Sequence, residues 1–566
     1  MNKVKFCFGI HNHQPVGNFG WVIKDAFKRS YLPFLEVLED FPKIRISLHF
    51  TGILLDWMEN KQPRALQIIS RLVEKRQVEL LTGAFYEPIL PVIPDRDKLG
   101  QIRKQTEFTR QHFGVKPRGM WLAERVWEPH LPGILKEAGV EYTILDDIHF
   151  RYSGLKGDQL YGYYLTEEGG ETVALFPISQ ELRYAIPFAD PEKSLEYLET
   201  VRDASEGDVA IYADDGEKFG VWPETDKLCY EEKWLARFFQ AITDNADWVE
   251  MRFFSEILDE VKPLGRVYLP TASYSEMNEW ALPAEAIEQY ENLTEKLKKE
   301  GLLDTYRAYV KGGFWRNFLS KYPESNHLHK RMLYVSDLLE ANRRENRKAD
   351  LEKATSHLYA AQCNCPYWHG VFGGLYLPHL RGAIYQELIQ AENLLQAKRL
   401  IESKPIVETK DFDCDGADEL LVTTRCHKAI FTPGSGGAII EFDDFRSKKN
   451  LVDVIGRYRE GYHHKLFEPQ EEVDGTPSIH DRLVTKEDGL EQLLHYDWYR
   501  RGLFIDHFFG EETTLTQFAQ SQHREEGDFV GETYQHQVES IKQGLRVTLW
   551  RQGNLWRGEE RTPLEV

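Results

Sequence analysis

The chain has 566 residues, of which 28% are charged and 42% are hydrophobic, a composition typical of soluble globular proteins and a length beyond one hydrophobic core. The formal net charge of −21 at pH 7 argues against a nucleic-acid partner, because binding to the phosphate backbone depends on clustered Lys and Arg. Six scattered cysteines do not form a disulfide framework, and no run is apolar enough to cross a bilayer. We therefore expect a cytoplasmic protein with no membrane partner.

The first 282 residues alternate between short β-forming runs and longer amphipathic stretches. The predicted strands are VKFCFGI, KIRISLHF, VELLTGAF, RGMWLAE, YTILDD, TVALFPIS, DVAIYADD and RVYLPTAS. The stretches between several of them, such as PRALQIISRLVEKRQ, repeat apolar residues at helical spacing. This alternation predicts an α/β domain with a parallel sheet, either a barrel or an open doubly wound sheet.

Residues 283–400 carry a helical period throughout and predict a helical subdomain. From residue 401 to 566 the pattern changes to short alternating runs such as ELLVTTR and GAIIEFD, which predict a C-terminal antiparallel β-domain. The sequence therefore predicts three domains.

Polar residues follow four of the predicted strands, in IHNHQP, GAFYEP, AERVWEP and DDGEKFG. In a parallel barrel these positions open onto one rim, where catalytic groups from distant segments meet. His11 and His13 leave three interpretations open: two ligands of a metal ion, hydrogen-bond donors to a substrate, or histidines that anchor a loop.

Four carboxylates stand at two of these strand ends: Glu124, Glu128, Asp214 and Asp215. Because side chains alternate along a strand, Glu124 shares a face with Met120 and Leu122, and Asp215 continues the row from Val209. Period two therefore pairs Glu124 with Asp215. A carboxylate pair among tryptophans, with no evident nucleophilic Ser or Cys, suits the cleavage of glycosidic bonds.

Five motifs, HNHQPVGNF, VELLTGAFYEP, WLAERVWEP, DDGEKFG and PTASYSEMNEW, resemble in identity and order the conserved regions of glycoside hydrolase family 57. The likeness is greatest to its 4-α-glucanotransferase and α-amylase branch and extends to about Arg381. The resemblance implies an incomplete (β/α)7 barrel, then helices, then a β-sandwich-like domain. Because the sequence ends at RTPLEV, where relatives are expected to continue with more strands, we expect either a shortened C-terminal domain or a truncated chain.

The resemblance also implies roles for individual residues. Glu124 falls on the family's nucleophile and Asp215 on its general acid/base, which leaves Glu128 as a supporting residue. Substrate contacts are implied at His11, His13, Glu79, Trp121, Glu217 and Trp368. The implied substrates are α-1,4-glucans and maltooligosaccharides. The implied reaction is retaining transfer or hydrolysis without a cofactor or a metal. A homodimer is a possible assembly.

Two other classes are weighed against this one. A metal-dependent hydrolase would use His11 and His13 as ligands, and a non-catalytic glucan-binding protein would keep the barrel without turnover. A separate loop, DFDCDGADE, spaces Asp411, Asp413, Asp415 and Glu419 in a way similar to a calcium loop, with Gly416 at the sharp turn. Because Val422 occupies the twelfth position, where a calcium loop has Glu, an Asp-rich turn is the preferred interpretation.

Overall fold

The computed structural model describes residues 3–204, 207–344, 347–371, 374–402, 405–467, 489–542 and 544–566. The chain divides into two compact units. The first contains the chain up to Asn317 together with Gln362–Asn364, and the second contains the described residues of 318–361, 365–467 and 489–566. This division falls inside the predicted helical region, and the predicted limits of the three domains stay a prediction.

The described residues of the first unit form ten strands: β1 (Val4–Asn12), β2 (Ile46–Phe50), β3 (Val78–Leu80), β4 (Gly119–Met120), β5 (Tyr142–Asp146), β6 (Tyr164–Glu168), β7 (Glu171–Ile178), β8 (Val209–Asp215), β9 (Val249–Met251) and β10 (Gly265–Arg266). β8, β1, β2 and β3 are parallel neighbours in that order, and so are β4, β5 and β7. The bridge between Thr82 and Met120 joins the two groups, and the Ser179 N–H donates to the Ile211 carbonyl at 2.9 Å between β7 and β8.

These contacts curl the parallel sheet into an incomplete barrel, which confirms the predicted fold class. β9 pairs in parallel with the start of β1, and β6 and β10 extend the other group of strands. Alternation sends successive side chains of β8 to opposite faces. Val209, Ile211 and Ala213 belong to the interior core with side chains from the other barrel strands, whereas Ala210 and Tyr212 pack outward against the helical layer.

Helices surround the sheet in the first unit: α1 (Gly20–Ala26), α2 (Leu32–Asp40), α3 (Gly52–Lys61), α4 (Pro63–Glu74), α5 (Asp95–Phe113), α6 (Leu131–Glu137), α7 (Asp147–Arg151), α8 (Gln180–Ala185), α9 (Pro191–Arg202), α10 (Trp234–Asp244), α11 (Phe254–Glu260), α12 (Ser275–Trp280), α13 (Ala284–Lys299) and α14 (Leu303–Tyr306). α4 shows why they form. Pro63 starts it, and Ala65, Leu66, Ile68, Ile69 and Leu72 are buried along one face at helical spacing. Full burial of such a Leu or Ile side chain contributes about 1.5–3 kcal/mol.

After α15 (Asn317–Lys321), the second unit begins with three helices, α16 (Pro323–Ala341), α17 (Lys348–Ala361) and α18 (Pro378–Glu402). A five-stranded antiparallel sheet follows: β11 (Ile406–Lys410), β12 (Glu419–Thr423), β13 (His427–Thr432), β14 (Ala438–Asp444) and β15 (Lys449–Asn450). A short helix, α19 (Leu515–Ala519), precedes two hairpins, β16 (Gln535–Ile541) with β17 (Gly544–Trp550) and β18 (Gln552–Arg557) with β19 (Glu560–Glu565). Within the described residues, none of the helices has the length and apolarity required to traverse a bilayer.

Candidate active site

Three barrel strands bring polar side chains to one place at their carboxyl ends. His11 on β1 lies in register with His49 on β2 and with Asp215, the last residue of β8. The loop after β3 adds Glu87, which is only 3% exposed. The predicted meeting of HNH, GAFYEP and DDGEKFG at one rim is therefore present in the structure.

Glu87 binds both histidines of the HNH motif. One of its carboxylate oxygens lies 2.9 Å from His11 Nε2, and the other contacts His13 Nδ1. Burial acts to lower the pKa of His13, but the adjacent Glu87 carboxylate raises it to about 10. The same carboxylate raises the pKa of His11 against the effect of burial, and the two imidazoles hold the pKa of Glu87 well below its usual range. His11 and His13 are therefore cations that belong to one buried ion-pair cluster.

His11 is held in place from two further sides. Its ring stacks on Trp121 with 4.6 Å between ring centroids and 9° between the planes, and its Nδ1 lies 2.8 Å from His49 Nδ1. Burial and the charge on His11 lower the pKa of His49, so His49 is neutral and accepts this hydrogen bond. Gly83 leaves the room for His49, since a Cβ at that position would lie 2.3 Å from His49 Nε2.

Glu124 does not lie on a strand. β4 ends at Met120, and Glu124 occupies a 3₁₀ turn, Ala123–Arg125, with a φ of +50°. The strand-face argument for Glu124 is therefore wrong in its geometry, although the residue lies close enough to Asp215 for the charges to interact. The Tyr274 O–H donates to Glu124 Oε2 at 2.9 Å, and the Ser273 hydroxyl donates to the Glu124 carbonyl.

Burial raises the pKa of Glu124, the nearby Arg125 opposes this, and the charge on Asp215 raises it further. The side chain of Asp215 is 36% exposed. Arg125 Nη1 lies 3.7 Å from Asp215 Oδ1, so one guanidinium acts on both carboxylates. Gly216, the next residue, packs against Asn12, and a Cβ there would lie 2.1 Å from Asn12 Oδ1.

A chain of buried charges lies beneath the two carboxylates. Arg125 Nε is 2.9 Å from Asp146 Oδ2, and Arg183 lies between Asp146 and Asp214, at 2.5 Å and 3.1 Å. Lys218 Nζ completes the chain 2.5 Å from Asp214. Asp214 points away from Asp215, as the alternation along β8 predicts, and is fully buried among these cations. It is thereby a structural carboxylate.

Comparisons with known proteins agree with this geometry. A model described as "Glycosyl hydrolase family 57" matches residues 7–270, and models for the middle and C-terminal domains of "Alpha-amylase/4-alpha-glucanotransferase" match residues 313–395 and 411–565. The chain is 46% identical to alpha-amylase 1 of Dictyoglomus thermophilum over 96% of its own length and 78% of that protein. It is 42% identical to a 4-alpha-glucanotransferase of Thermococcus kodakarensis over 100% of its length and 84% of that protein.

The chain belongs to glycosyl hydrolase family 57. A solved structure, the 4-alpha-glucanotransferase from Thermococcus litoralis, superposes with a TM-score of 0.89 at 42% identity and covers 100% of this chain and 82% of that chain. The family resemblance carried by the five motifs is thereby confirmed, and with it the order of barrel, helical region and antiparallel C-terminal strands.

The family 57 resemblance also implied substrate contacts at several other residues, and two of them lie at the same rim. Trp121 stacks on His11, and Glu217 accepts hydrogen bonds from the His13 N–H at 3.0 Å and from the Tyr31 hydroxyl, so both belong to the rim cluster. Burial and the charge on Asp215 raise the pKa of Glu217. Substrate contact at these positions stays a prediction.

The other predicted residues have different surroundings. Glu79 lies on β3 in register with Ser47, whose hydroxyl donates to it at 2.8 Å, one layer of the barrel below His49. Glu128 is held by Arg316 at 2.7 Å. Trp368 belongs to the second unit, where its ring lies 6.0 Å from that of Phe318.

Sequence reasoning missed Glu87, Tyr274 and Arg125, three residues that contact the predicted pair or its histidines. All three lie in motifs that the sequence analysis quoted, GAFYEP, PTASYSEMNEW and WLAERVWEP. Glu87, Glu124 and Arg125 share a positive φ, of 55°, 50° and 47°. For residues with a Cβ, a positive φ is uncommon and is found at active sites, but the sequence composition does not predict it.

His11, His13 and Glu87 are also residue types that bind metal ions, and their donor atoms lie within 4.8 Å of one another. Both imidazoles here bind the carboxylate directly and carry raised pKa values, so a metal ion would have to displace two protons from the cluster. That the histidines contact substrate and hold no metal ion stays a prediction.

The Asp-rich loop lies in the second unit. Asp411 accepts the N–H groups of Asp415 and Gly416, Asp415 accepts that of Ala417, and Glu419 accepts that of Phe412. These are the hydrogen bonds that an Asp-rich turn requires. Asp411, Asp413 and Glu419 place carboxylate oxygens within 4.8 Å of one another, and calcium binding there stays a prediction.

We predict that Tyr274→Phe moves the acidic limb of the pH–activity profile to higher pH. Loss of the hydrogen bond removes a group that favours the ionised Glu124, whose pKa burial already raises, so the carboxylate takes up a proton at higher pH. A hydrogen bond to a charged group contributes about 1.5–3 kcal/mol, so kcat/KM near neutral pH falls about tenfold or more. An acidic limb that stays in place would contradict this role of Tyr274.

We also predict that the stability lost in Glu87→Gln depends on pH. The raised pKa of His13, about 10 against 6.5 for a free imidazole, stabilises the fold fully below about pH 6.5, and this contribution is lost as the pH rises toward 10. The lowered pKa of Glu87 adds stability above its ordinary value of 4.5. The difference in Tm between wild type and variant is therefore largest near pH 6 and shrinks toward pH 10.

Glu128→Gln is the matched control for Glu87→Gln. Its partner Arg316 stays charged over this range, so its effect on Tm is flat between pH 6 and pH 10. Equal pH profiles for the two variants would show that Glu87 does not hold the histidines as cations.

Proposed function

We propose that this protein is a retaining 4-α-glucanotransferase that acts on α-1,4-glucans and maltooligosaccharides, with α-amylase activity as the alternative. Relatives at 42–46% identity carry both names, and the carboxylate pair with its charged rim is the observation that supports glycoside chemistry here. Both activities use the same first step, cleavage of a glucan chain, and differ in the acceptor that completes the reaction.

In this proposal Glu124 attacks the anomeric carbon and forms a covalent glycosyl intermediate. Its buried turn fixes the carboxylate, and the Tyr274 hydroxyl orients the attacking oxygen pair. Asp215 protonates the departing glucan oxygen and then takes the proton from the incoming acceptor. Because 36% of its side chain is exposed, Asp215 can meet an acceptor that arrives from solvent.

The electrostatics set a condition on this assignment. A nucleophile must be ionised, whereas burial raises the pKa of Glu124. Three groups act in the other direction: the Arg125 guanidinium, the charge on His13 and the hydrogen bond from Tyr274. The assignment of Glu124 as nucleophile therefore depends on these neighbours, and the reverse assignment is its direct competitor.

The choice between transfer and hydrolysis depends on how well acceptor subsites bind sugar. Trp21, in the first turn of α1, is 70% exposed and stacks with Phe19 of the loop after β1 at 6.3 Å between ring centroids, an accessible aromatic surface of the kind that binds sugar rings. Hydrogen bonds run from this loop to the rim, from Asn18 to Gln14 and from Gln14 to the Tyr31 hydroxyl. This surface favours a sugar acceptor over water, and with it the transferase.

Product analysis with pure maltopentaose tests the reaction. We expect longer and shorter oligomers together, without a matching rise in reducing ends, and the loss of all products in Glu124→Gln. Only shorter products with new reducing ends would mean an amylase. Unchanged maltopentaose with the wild type would contradict both glucan activities and favour a binding protein. Activity that survives exhaustive chelation would eliminate the metal-dependent class.

Rescue by azide tests the two roles. With an α-glucosyl substrate that carries a good leaving group, we expect Asp215→Asn plus azide to give the α-glucosyl azide, because two displacements retain configuration. Glu124→Gly plus azide gives the β-azide, since azide then attacks directly. Without azide, loss of the general acid costs natural glucans about 10²–10⁴-fold in rate, and the activated substrate much less. A β-azide from Asp215→Asn and an α-azide from Glu124→Gly would reverse the assignment.

A further inference from the structure

The second unit contains a buried cluster of two histidines and one glutamate that the proposed reaction does not use: His507, His523 and Glu525. Their side chains are 14%, 0% and 11% exposed. One nitrogen of each imidazole and one oxygen of the carboxylate lie within 4.8 Å of one another. The cluster lies in a stretch, residues 494–534, where α19 is the sole helix of the described residues.

Contacts with the backbone around Phe509 orient the carboxylate of Glu525. Phe509 and Glu525 form an antiparallel bridge, and the Phe508 N–H donates to Glu525 Oε2 at 3.0 Å. The other oxygen, Oε1, faces both imidazoles, 2.5 Å from His507 Nδ1 and 3.2 Å from His523 Nε2. The three donor groups thus converge on one point with a backbone contact that orients the carboxylate.

His523 is the residue that hydrogen bonding leaves unexplained. Its Nε2 lies 3.2 Å from Glu525 Oε1 without the geometry of a hydrogen bond, and its Nδ1 makes no hydrogen bond to any described residue, although the side chain is fully buried. A buried polar group without a hydrogen bond is destabilising, so such groups usually have a ligand, a water or an ion. An ion between Nε2 and Glu525 Oε1 would provide that partner.

Aromatic side chains pack around His523. They belong to Trp498, Tyr499, Phe509 and Phe518, and their ring centroids lie 5.1 to 6.5 Å from the centroid of the imidazole. An apolar wall of this kind lowers the local dielectric and strengthens any bond between an ion and the three donors. It also makes the orphaned imidazole costlier when no ion is bound.

We propose that His507, His523 and Glu525 form a structural site for a divalent transition metal of the Zn²⁺ class. Two imidazole nitrogens and one carboxylate oxygen suit Zn²⁺ and its neighbours, whereas Ca²⁺ and Mg²⁺ prefer sets made of oxygen alone. Bonds of about 2.0–2.1 Å to a tetrahedral ion hold donor atoms roughly 3.3 Å apart, close to the 3.2 Å between His523 and Glu525. The contact of His507 with Glu525 opens by about 0.8 Å to admit the ion.

The ion would connect two segments that are 16 residues apart and have little regular structure, from His507 to His523. An ion that binds only the folded state raises its stability, so the site would cross-link and stabilise this part of the second unit.

The test is a titration of the tag-free, chelator-treated full chain with Zn²⁺ alone, followed by native mass spectrometry and Tm. We expect one tightly bound Zn²⁺ per chain that His523→Phe abolishes, and a Tm that Zn²⁺ raises by several degrees in the wild type and not in the variant. Phe suits the aromatic surroundings, so in chelator alone the variant is at least as stable as the wild type. Ca²⁺ and Mg²⁺ do not raise Tm through this cluster.

Two controls keep the outcome decisive. Glu87→Gln alters the other cluster of histidines and retains the bound Zn²⁺, and Glu525→Gln, which keeps the acceptor for Phe508, weakens it. A wild type that binds no Zn²⁺ tightly, or a His523→Phe variant that binds it as the wild type does, would overturn the proposal. So would loss of the ion in Glu87→Gln, since the site would then lie in the barrel.

Discussion

The candidate active site depends on one interaction, the buried ion pairing of Glu87 with His11 and His13. The three residues come from the end of β1 and the loop after β3, and the carboxylate holds both imidazoles as cations in a place where burial alone would neutralise them. A buried charge that loses its partner is strongly destabilising, so separating the end of β1 from the loop after β3 would lower the stability of the fold. The rim of the barrel is therefore rigid where the substrate would bind.

The chain of buried charges beneath the rim also fixes the geometry of the candidate site. Three cations, Arg125, Arg183 and Lys218, alternate with Asp146 and Asp214, and the surplus positive charge faces Asp215. Buried ion pairs of this kind contribute little net stability, because desolvation offsets attraction. These ion pairs act here by fixing the positions of neighbouring residues. They hold the turn of Glu124 and Arg125 at positive φ, a conformation that costs about 1–3 kcal/mol per residue and persists only when its surroundings fix it.

Much of this arrangement could be predicted from the sequence, for reasons that differ between residues. Asp215 could be separated from Asp214 because β8 is a regular strand and period two decides which side chain faces the interior. The same rule was applied to Glu124, which lies in a turn after a two-residue strand, so its place beside Asp215 came from the family motif and not from periodicity. Glu87 was missed because a contact across 76 residues has no local pattern.

The raised pKa of Glu124 is consistent with a nucleophile when the reaction coordinate is considered. In the free protein the carboxylate is buried beside Asp215, and both effects disfavour its charge. In the proposed mechanism, positive charge develops at the anomeric carbon beside Glu124 as the glycosidic bond breaks, while Asp215 gives its proton to the departing oxygen. The ionised carboxylate then interacts with an oxocarbenium-like centre in a site of low dielectric. Its stabilisation is greater in the transition state than before it, which is the condition for catalysis.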